Sequence, residues 1–347
     1  DGHCAHSFFN TGTRFSVMHI RTALLFATLG LLTAASLAFS LLSGSVETGP
    51  GALLAALTGS SDDVTRQILL ELRWPRTAAA FVTGALLALA GALMQVLLRN
   101  PLADPYVLGI SGGAATGALL SMLLGLGGWW LQGSAFGGAL ASMLLVFGLA
   151  RGSGAWSTHR LLLTGVVIAA GWGAVIGFLL AISPAQGLRG MLFWLMGDLS
   201  HAGLPVIPAI ILLAGLVVAL AIARSLNLLT RGNLAAQSLG VPVHALQPVI
   251  YLLASLFTAL AVTLAGSVGF VGLIVPHLLR LSGVRDHRLL LPAALLLGGS
   301  LLVIADTLAR TLLAPQQLPV GILTAMIGVP LFLALLYYSR NRTDQAS

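Results

Sequence analysis

From residue 22 to residue 338, apolar runs of helical-span length alternate with short polar breaks. About 20 mostly apolar residues cross a hydrocarbon core roughly 30 Å thick, and a helix satisfies its own backbone polar groups there. That window predicts ten spans, at about 22–42, 77–98, 106–125, 132–150, 161–182, 204–223, 246–265, 268–282, 289–313 and 319–338. The pattern is that of an all-α polytopic membrane protein. The first run is too long for a signal-peptide core and lacks a clear cleavage site, so it reads as a retained helix. Residues 1–17 form a polar leader, read as lying upstream of a natural start at Met18, and 18–347 read as one transmembrane domain.

Two outer segments have helical spacing among polar residues. Residues 63–73, DVTRQILLELR, put Ile68, Leu69 and Leu72 on one side and predict a short surface helix; 188–199, LRGMLFWLMGDL, predict another. The longest inner connection, 224–245, is too polar to span and predicts one or two short helices that meet a partner. An even number of spans puts both termini on one side. Twelve of the seventeen arginines fall on that side, which the positive-inside rule makes cytoplasmic.

Composition narrows the chemistry. The chain is 57% hydrophobic and 8% charged, and every one of its 17 basic residues is arginine. Without lysine it has no P-loop of its own and no Schiff-base chemistry, so any ATP must be bound by another chain. The formal charge of +7 is spread between apolar segments, which argues for topology rather than nucleic acid. Cys4 is the only cysteine, so no intrachain disulfide forms. The one His/Cys cluster, HCAH at 3–6, lies in the leader, and no metal site is expected.

An ion-coupled carrier keeps ionisable groups deep in its spans. Here the acidic residues lie near span ends or in loops: Asp104 and Asp198 in loops, Asp286 placed to cap the ninth span, and Asp306 four residues before Arg310, its expected partner. No His, Asp or Glu constellation suggests an intramembrane enzyme. Small residues crowd GALLALAGAL (84–93), GISGGAATGA (109–118) and GGALAS (137–142), surfaces suited to close helix packing. GISGG lacks the strand a dinucleotide fingerprint needs. LAG at 89–91 and 264–266, each followed by a proline ten residues after its glycine, hints at an inverted repeat. In GSVGFVGLIVPHLLRLSG (266–283) the glycines predict a tight outer turn, followed by a short helix bent at Pro276 with His277 one turn deeper than Arg280 at the inner surface.

RWPRT (73–77), GALMQVLLRNPLADPYVLGISGGA (91–114), GNLAAQSLGVP (232–242), GFVGLIVPHLLRL (269–281), DHRLLLP (286–292) and LPVGILTAMIGVPLF (318–332) together resemble the FecCD-type permease subunits of type II ABC importers, which take up cobalamin, haem and ferric siderophores. The resemblance runs from Arg21 to Arg340 and implies a ten-helix protomer, a homodimer with the path at its centre, two cytoplasmic ATPase subunits that hold ATP and Mg, and a periplasmic substrate-binding protein. No cofactor would be bound permanently and no residue would be catalytic. The location implied is the bacterial inner membrane, and haem ranks first among cargoes. Asn233, Leu234, Ala235, Ala236, Leu239 and Gly240 match the coupling segment, whose family pattern often begins with glutamate; the two alanines would let it seat closely and Gly240 would end it. Arg73, Arg76 and Arg310 match arginines that meet glutamates of the binding protein, with internal pairing to Glu71 and Asp306 as the other reading. Thr158 and His159 match a loop at the cytoplasmic gate, where a small hydroxyl residue would be expected in place of His159.

Overall fold

A computed structural model describes residues 5–44, 63–151, 157–200 and 202–344, with single positions between 49 and 58. The described residues are helical, with no strand among them: α1 (Ala5–Leu42), α2 (Asp63–Gln67), α3 (Trp74–Leu97), α4 (Ile110–Leu123), α5 (Trp129–Arg151), α6 (Thr158–Ile182), α7 (Ala185–Leu195), α8 (Val206–Ala221), α9 (Ala223–Leu229), α10 (Asn233–Ser238), α11 (Val243–Ala265), α12 (Val271–Leu281), α13 (His287–Thr311) and α14 (Val320–Asp344). Among the described residues, six stretches are long and apolar enough to cross a membrane, and a seventh follows if α8 and α9, bent by 61°, count together. The other three predicted spans coincide with the shorter apolar helices Ile110–Leu123, Val271–Leu281 and Val320–Ala334. Half of the HCAH cluster, His3 and Cys4, lies outside the described residues.

The centre of the structure is α3, whose most apolar window is 94% buried. Lipid supplies no hydrophobic drive between helices, so association relies on close van der Waals contact, which small residues permit. The α3 sequence is built for that. A Cβ on Gly84 would fall on the Gly298 carbonyl of α13, and one on Gly91 would fall on the Gly272 carbonyl of α12. Leu86, Leu87, Leu89, Leu93 and Leu97 fill the spaces between these crossings and are almost fully enclosed. Helices α11, α12 and α13 pack round α3, and α1 lies against α13. In α4 and α5, Gly113 faces Gly138 just as closely, while the Ser142 hydroxyl donates to the Gly109 carbonyl at 2.8 Å and accepts from the Trp172 indole at 3.0 Å.

Four sequence expectations are revised. Residues 63–73 do not form a separate surface helix: α2 runs through a π-helical turn, Ile68–Arg73, directly into α3, with Leu69 buried and Leu72 67% exposed. The wide turn ends two residues before Pro75, whose missing N–H and bulky ring suit the start of a helical segment but not its interior. Arg280, read as reaching the inner surface, is part-buried and donates to the Gln95 side chain of α3. Asp306 pairs with Arg76 and not with Arg310. The two LAG copies occupy unlike places, Gly91 inside α3 and Gly266 ending α11 with φ +65°, so the repeat finds no local support. By contrast, the helix predicted over 188–199 forms as α7, and α12 is short, carrying Pro276 inside 11 residues, about 16 Å at 1.5 Å per residue.

Candidate functional site

The connection after α8 folds into two short helices, α9 and α10, as its composition predicts. α9 buries Ala223, Leu226 and Leu229 in the protein's own core. α10 ends in a Schellman motif: the Gly240 amide donates to Gln237 O at 2.9 Å and the Val241 amide to Ala236 O at 3.0 Å, with Gly240 at φ +82°. Ala236 and Val241 sit together in the core beneath that cap. The six residues assigned to coupling therefore divide. Ala236 anchors α10 to its own chain, whereas Leu234 (83% exposed), Ala235 and Leu239 (62%) point away from it. Two large leucines held outward on a capped helix cannot be stabilised by the chain that carries them. Among the described residues the buried Asn233 side-chain oxygen meets no hydrogen-bond partner.

Behind these helices is a polar junction that sequence reasoning passed over. Asn227 of α9 donates from Nδ2 to Asp286 Oδ1 at 2.7 Å. Its Oδ1 accepts from the His287 backbone amide at 2.9 Å and lies 2.6 Å from His287 Nδ1, which must then carry the proton. Asp286 also caps α13, accepting from the Arg288 amide at 3.0 Å, as its position predicts. Burial opposes its ionisation, but the amides of Arg288 and Asn227 and nearby positive charge outweigh that and hold its carboxyl below the ordinary value. Next to the junction, Gln95 joins α3 to α12 by accepting from Arg280 and donating to Leu273 O at 3.2 Å. A lone amide in an apolar span was the available signal for Gln95; Asn227 sits in a leucine-rich stretch that gave none.

Thr158 and His159 lie in the first turn of α6 rather than in a loop, after the Ser157 cap. Thr158 is half-buried and His159 is exposed.

At the opposite end, the three predicted docking arginines converge on the end of α1 and on α13. Arg73, 6% exposed, donates to Leu41 O at 2.7 Å. Arg310 donates to the Ser40 carbonyl and, at 2.9 Å, to the Ser40 hydroxyl, which in turn contacts Thr77 at 2.8 Å. Arg76 grips Asp306 with Nε and NH2, at 2.9 Å to each oxygen, and offers NH1 to Gln317 at 2.8 Å. Asp306 is 1% exposed and Arg76 13%. The carboxylate partner is thus Asp306 and not Glu71, and the fork geometry explains why arginine serves here. Beside α7 lies a cavity of about 810 Å³, lined in part by Gln132, Gln186, Arg189, Phe193, Trp194 and Asp198, with the Arg189 guanidinium over the Phe193 ring. In the connection between α3 and α4, burial pushes the Asp104 carboxyl up to about 6 although it accepts from the Tyr106 amide at 2.8 Å.

The profile of the FecCD transport family matches residues 32–338. The Klebsiella pneumoniae vitamin B12 import system permease protein BtuC is 37% identical over 90% of this chain and 93% of its own length. The Yersinia pestis hemin transport system permease protein HmuU is 43% identical over 82% of this chain and 87% of its own. A solved inward-facing structure, assigned to the metal-chelate type of ABC transporter, superposes with a TM-score of 0.79 at 30% identity, covering 91% of this chain and 99% of that one.

Proposed function

The chain belongs to the FecCD transport family, a membrane permease family, and from that premise we propose that it is the transmembrane subunit of an ATP-driven importer for an iron chelate, haem first. It acts as a homodimer in the bacterial inner membrane, with both termini cytoplasmic. Two ATPase subunits bearing ATP and Mg meet it inside, and a substrate-binding protein delivers cargo from the periplasm. The observation that carries the reading is the outward display of Leu234 and Leu239 on a capped helix whose other face is locked into the core, a shape suited to a groove on another chain. HmuU, a hemin permease, at 43% identity supports haem, and BtuC at 37% keeps cobalamin as the alternative beside ferric siderophores.

In this mechanism the permease does no chemistry. ATP binding on the partner shifts the balance between outward-open and inward-open forms, which requires contacts that differ between the two. α10 supplies those contacts, Thr158 and His159 sit at the cytoplasmic gate, and Arg76 leads docking of the binding protein because Gln317 is an exposed partner it can exchange for a carboxylate. Arg73 and Arg310 back it from the α1 carbonyls.

Reconstitution with the co-purified ATPase and binding protein, followed by uptake of haem, cobalamin and a ferric siderophore, tests the proposal. ATP-dependent accumulation of haem is expected. Accumulation of one of the other two instead refutes the haem assignment, and uptake driven by an ion gradient without ATP refutes the importer reading.

A further inference from the structure

The junction around Asn227 and the arginine cluster at the other end are joined by one helix. α13 begins at the junction with Asp286 as its cap and His287 as its first residue, and near its far end it carries Asp306, held by Arg76. Its 25 residues measure about 37 Å at 1.5 Å per residue. Helix α13 is not free to move alone. Gly298 and Gly84 interlock it with α3, since a Cβ on either would strike the backbone of the other helix, and Gly299 lies against the Phe81 ring. α3 in turn begins beside Arg76 and ends near Gln95, which receives Arg280 from α12. The two helices therefore form a rod with a polar clamp at each end.

At the inner clamp, one residue makes the connection to the coupling segment. Asn227 uses both halves of its amide, giving a proton to Asp286 and accepting from the backbone and ring of His287. His287 is 2% exposed, among the described residues its Nε2 meets no hydrogen-bond partner, and Asn227 holds its Nδ1 and its backbone amide.

We propose that Asn227 is a positioning residue for coupled transport: by clamping α9 to Asp286 and His287 it delivers displacement of the coupling helices to the α13–α3 rod and so to the Arg76–Asp306 pair that faces the binding protein. The inference rests on the reading of α10 as the ATPase contact. Coupling between two faces is reciprocal, so the binding protein must also act on the ATPase through the same clamp.

The test uses the complete reconstituted complex of permease, ATPase and binding protein, with two readouts: molecules imported per ATP hydrolysed, and stimulation of ATPase by the binding protein. Asn227→Asp keeps the acceptor for His287 but sets a carboxylate against Asp286. The paired exchange Asn227→Asp with Asp286→Asn restores a donor and an acceptor, and Asn still caps α13. Both readouts are expected to fall at least fivefold in the single variant, with the ATPase still co-purifying, and to return to within twofold of wild type in the exchange. Unchanged readouts in the single variant overturn the proposal, as does an exchange that assembles yet restores neither. Leu234→Glu in the same assay separates the two levels: if it leaves the ATPase bound and coupled, the reading of α10 fails; if it uncouples while Asn227→Asp does not, only the clamp fails.

Discussion

Replacing Gly240 is the sharpest probe of the coupling segment. The residue sits at φ +82°, and a Cβ there would have nothing within 4 Å. Steric clash therefore contributes nothing, and the cost of Gly240→Ala is the backbone penalty of a left-handed conformation, about 1–2 kcal/mol for an L-residue. At 1.4 kcal/mol per factor of ten, the capped form of α10 loses roughly 5- to 30-fold in population. Val adds β-branching and falls at or beyond the upper end, while Asn, which tolerates this conformation, falls below Ala. The penalty is local, because α10 spans six residues and the spans do not depend on its cap. Uptake by reconstituted complexes should thus decline in the order Gly, Asn, Ala, Val, with thermal unfolding of the detergent-solubilised permease changed little. A Gly240→Val permease that imports at the wild-type rate would refute the argument that a capped α10 is what the ATPase engages, and a collapse of unfolding temperature across the series would refute its locality.

Three further outcomes follow from the same geometry. Arg76→Ala leaves Asp306 buried without its bidentate partner, so it should cost about 3–5 kcal/mol in denaturant unfolding, whereas an exposed ion pair would cost under about 1; a change below 1 would mean the pair is exposed in solution. Gly91→Leu drives a side chain into the Gly272 carbonyl and should abolish accumulation of folded protein, checked by size-exclusion profile, while Gly137→Leu, with nothing near its Cβ, should not. Asp104 has a folded pKa raised above its unfolded value near 4, so its ionisation opposes folding as pH climbs from about 4 to 6 and the penalty is constant above that. Asp104→Asn keeps the cap of the 105–108 turn and should raise the unfolding temperature at pH 7.5 more than at pH 4.5; an equal rise at both would show that the charge is not responsible.

Span positions were readable because each relies on a local property, the length of an apolar run, which no tertiary contact needs to supply. The caps at Asp286 and Gly240 were readable for the same reason: both depend on residues within five positions of themselves. What failed was partner choice. Asp306 and Arg310 have the spacing of a helical pair, yet Arg76, 230 positions away in sequence, reaches Asp306 with a fork while Arg310 turns to Ser40. Arg280 was placed at the surface because a charge at a helix end commonly goes there, and nothing local announced Gln95 as an acceptor 185 residues away. The π-helical turn before Pro75 was likewise hidden, since the 3.6-residue pattern used to read 63–73 assumes the register that the turn abandons. Sequence shows which residues can bond; over such separations only the packed helices show which do.

The distribution of buried charge also bears on how this permease can work. Arg73, Arg76, Arg310 and Asp306 are buried or part-buried at one end of the helices and Arg280 at the other, each arginine held by a carbonyl, an amide or a carboxylate and Asp306 by the Arg76 guanidinium. Between those ends α3 meets α12 and α13 through glycines whose backbones touch. Such crossings have no slack: separating them forfeits van der Waals contact and sliding them drives backbone into backbone. Motion is then confined to displacement of packed groups of helices as units, with hydrogen-bonded groups at their ends. On the proposed function, the equilibrium of such rigid units is set from outside, and Leu234 and Leu239, which the chain's own core leaves uncovered, are the surface offered for it.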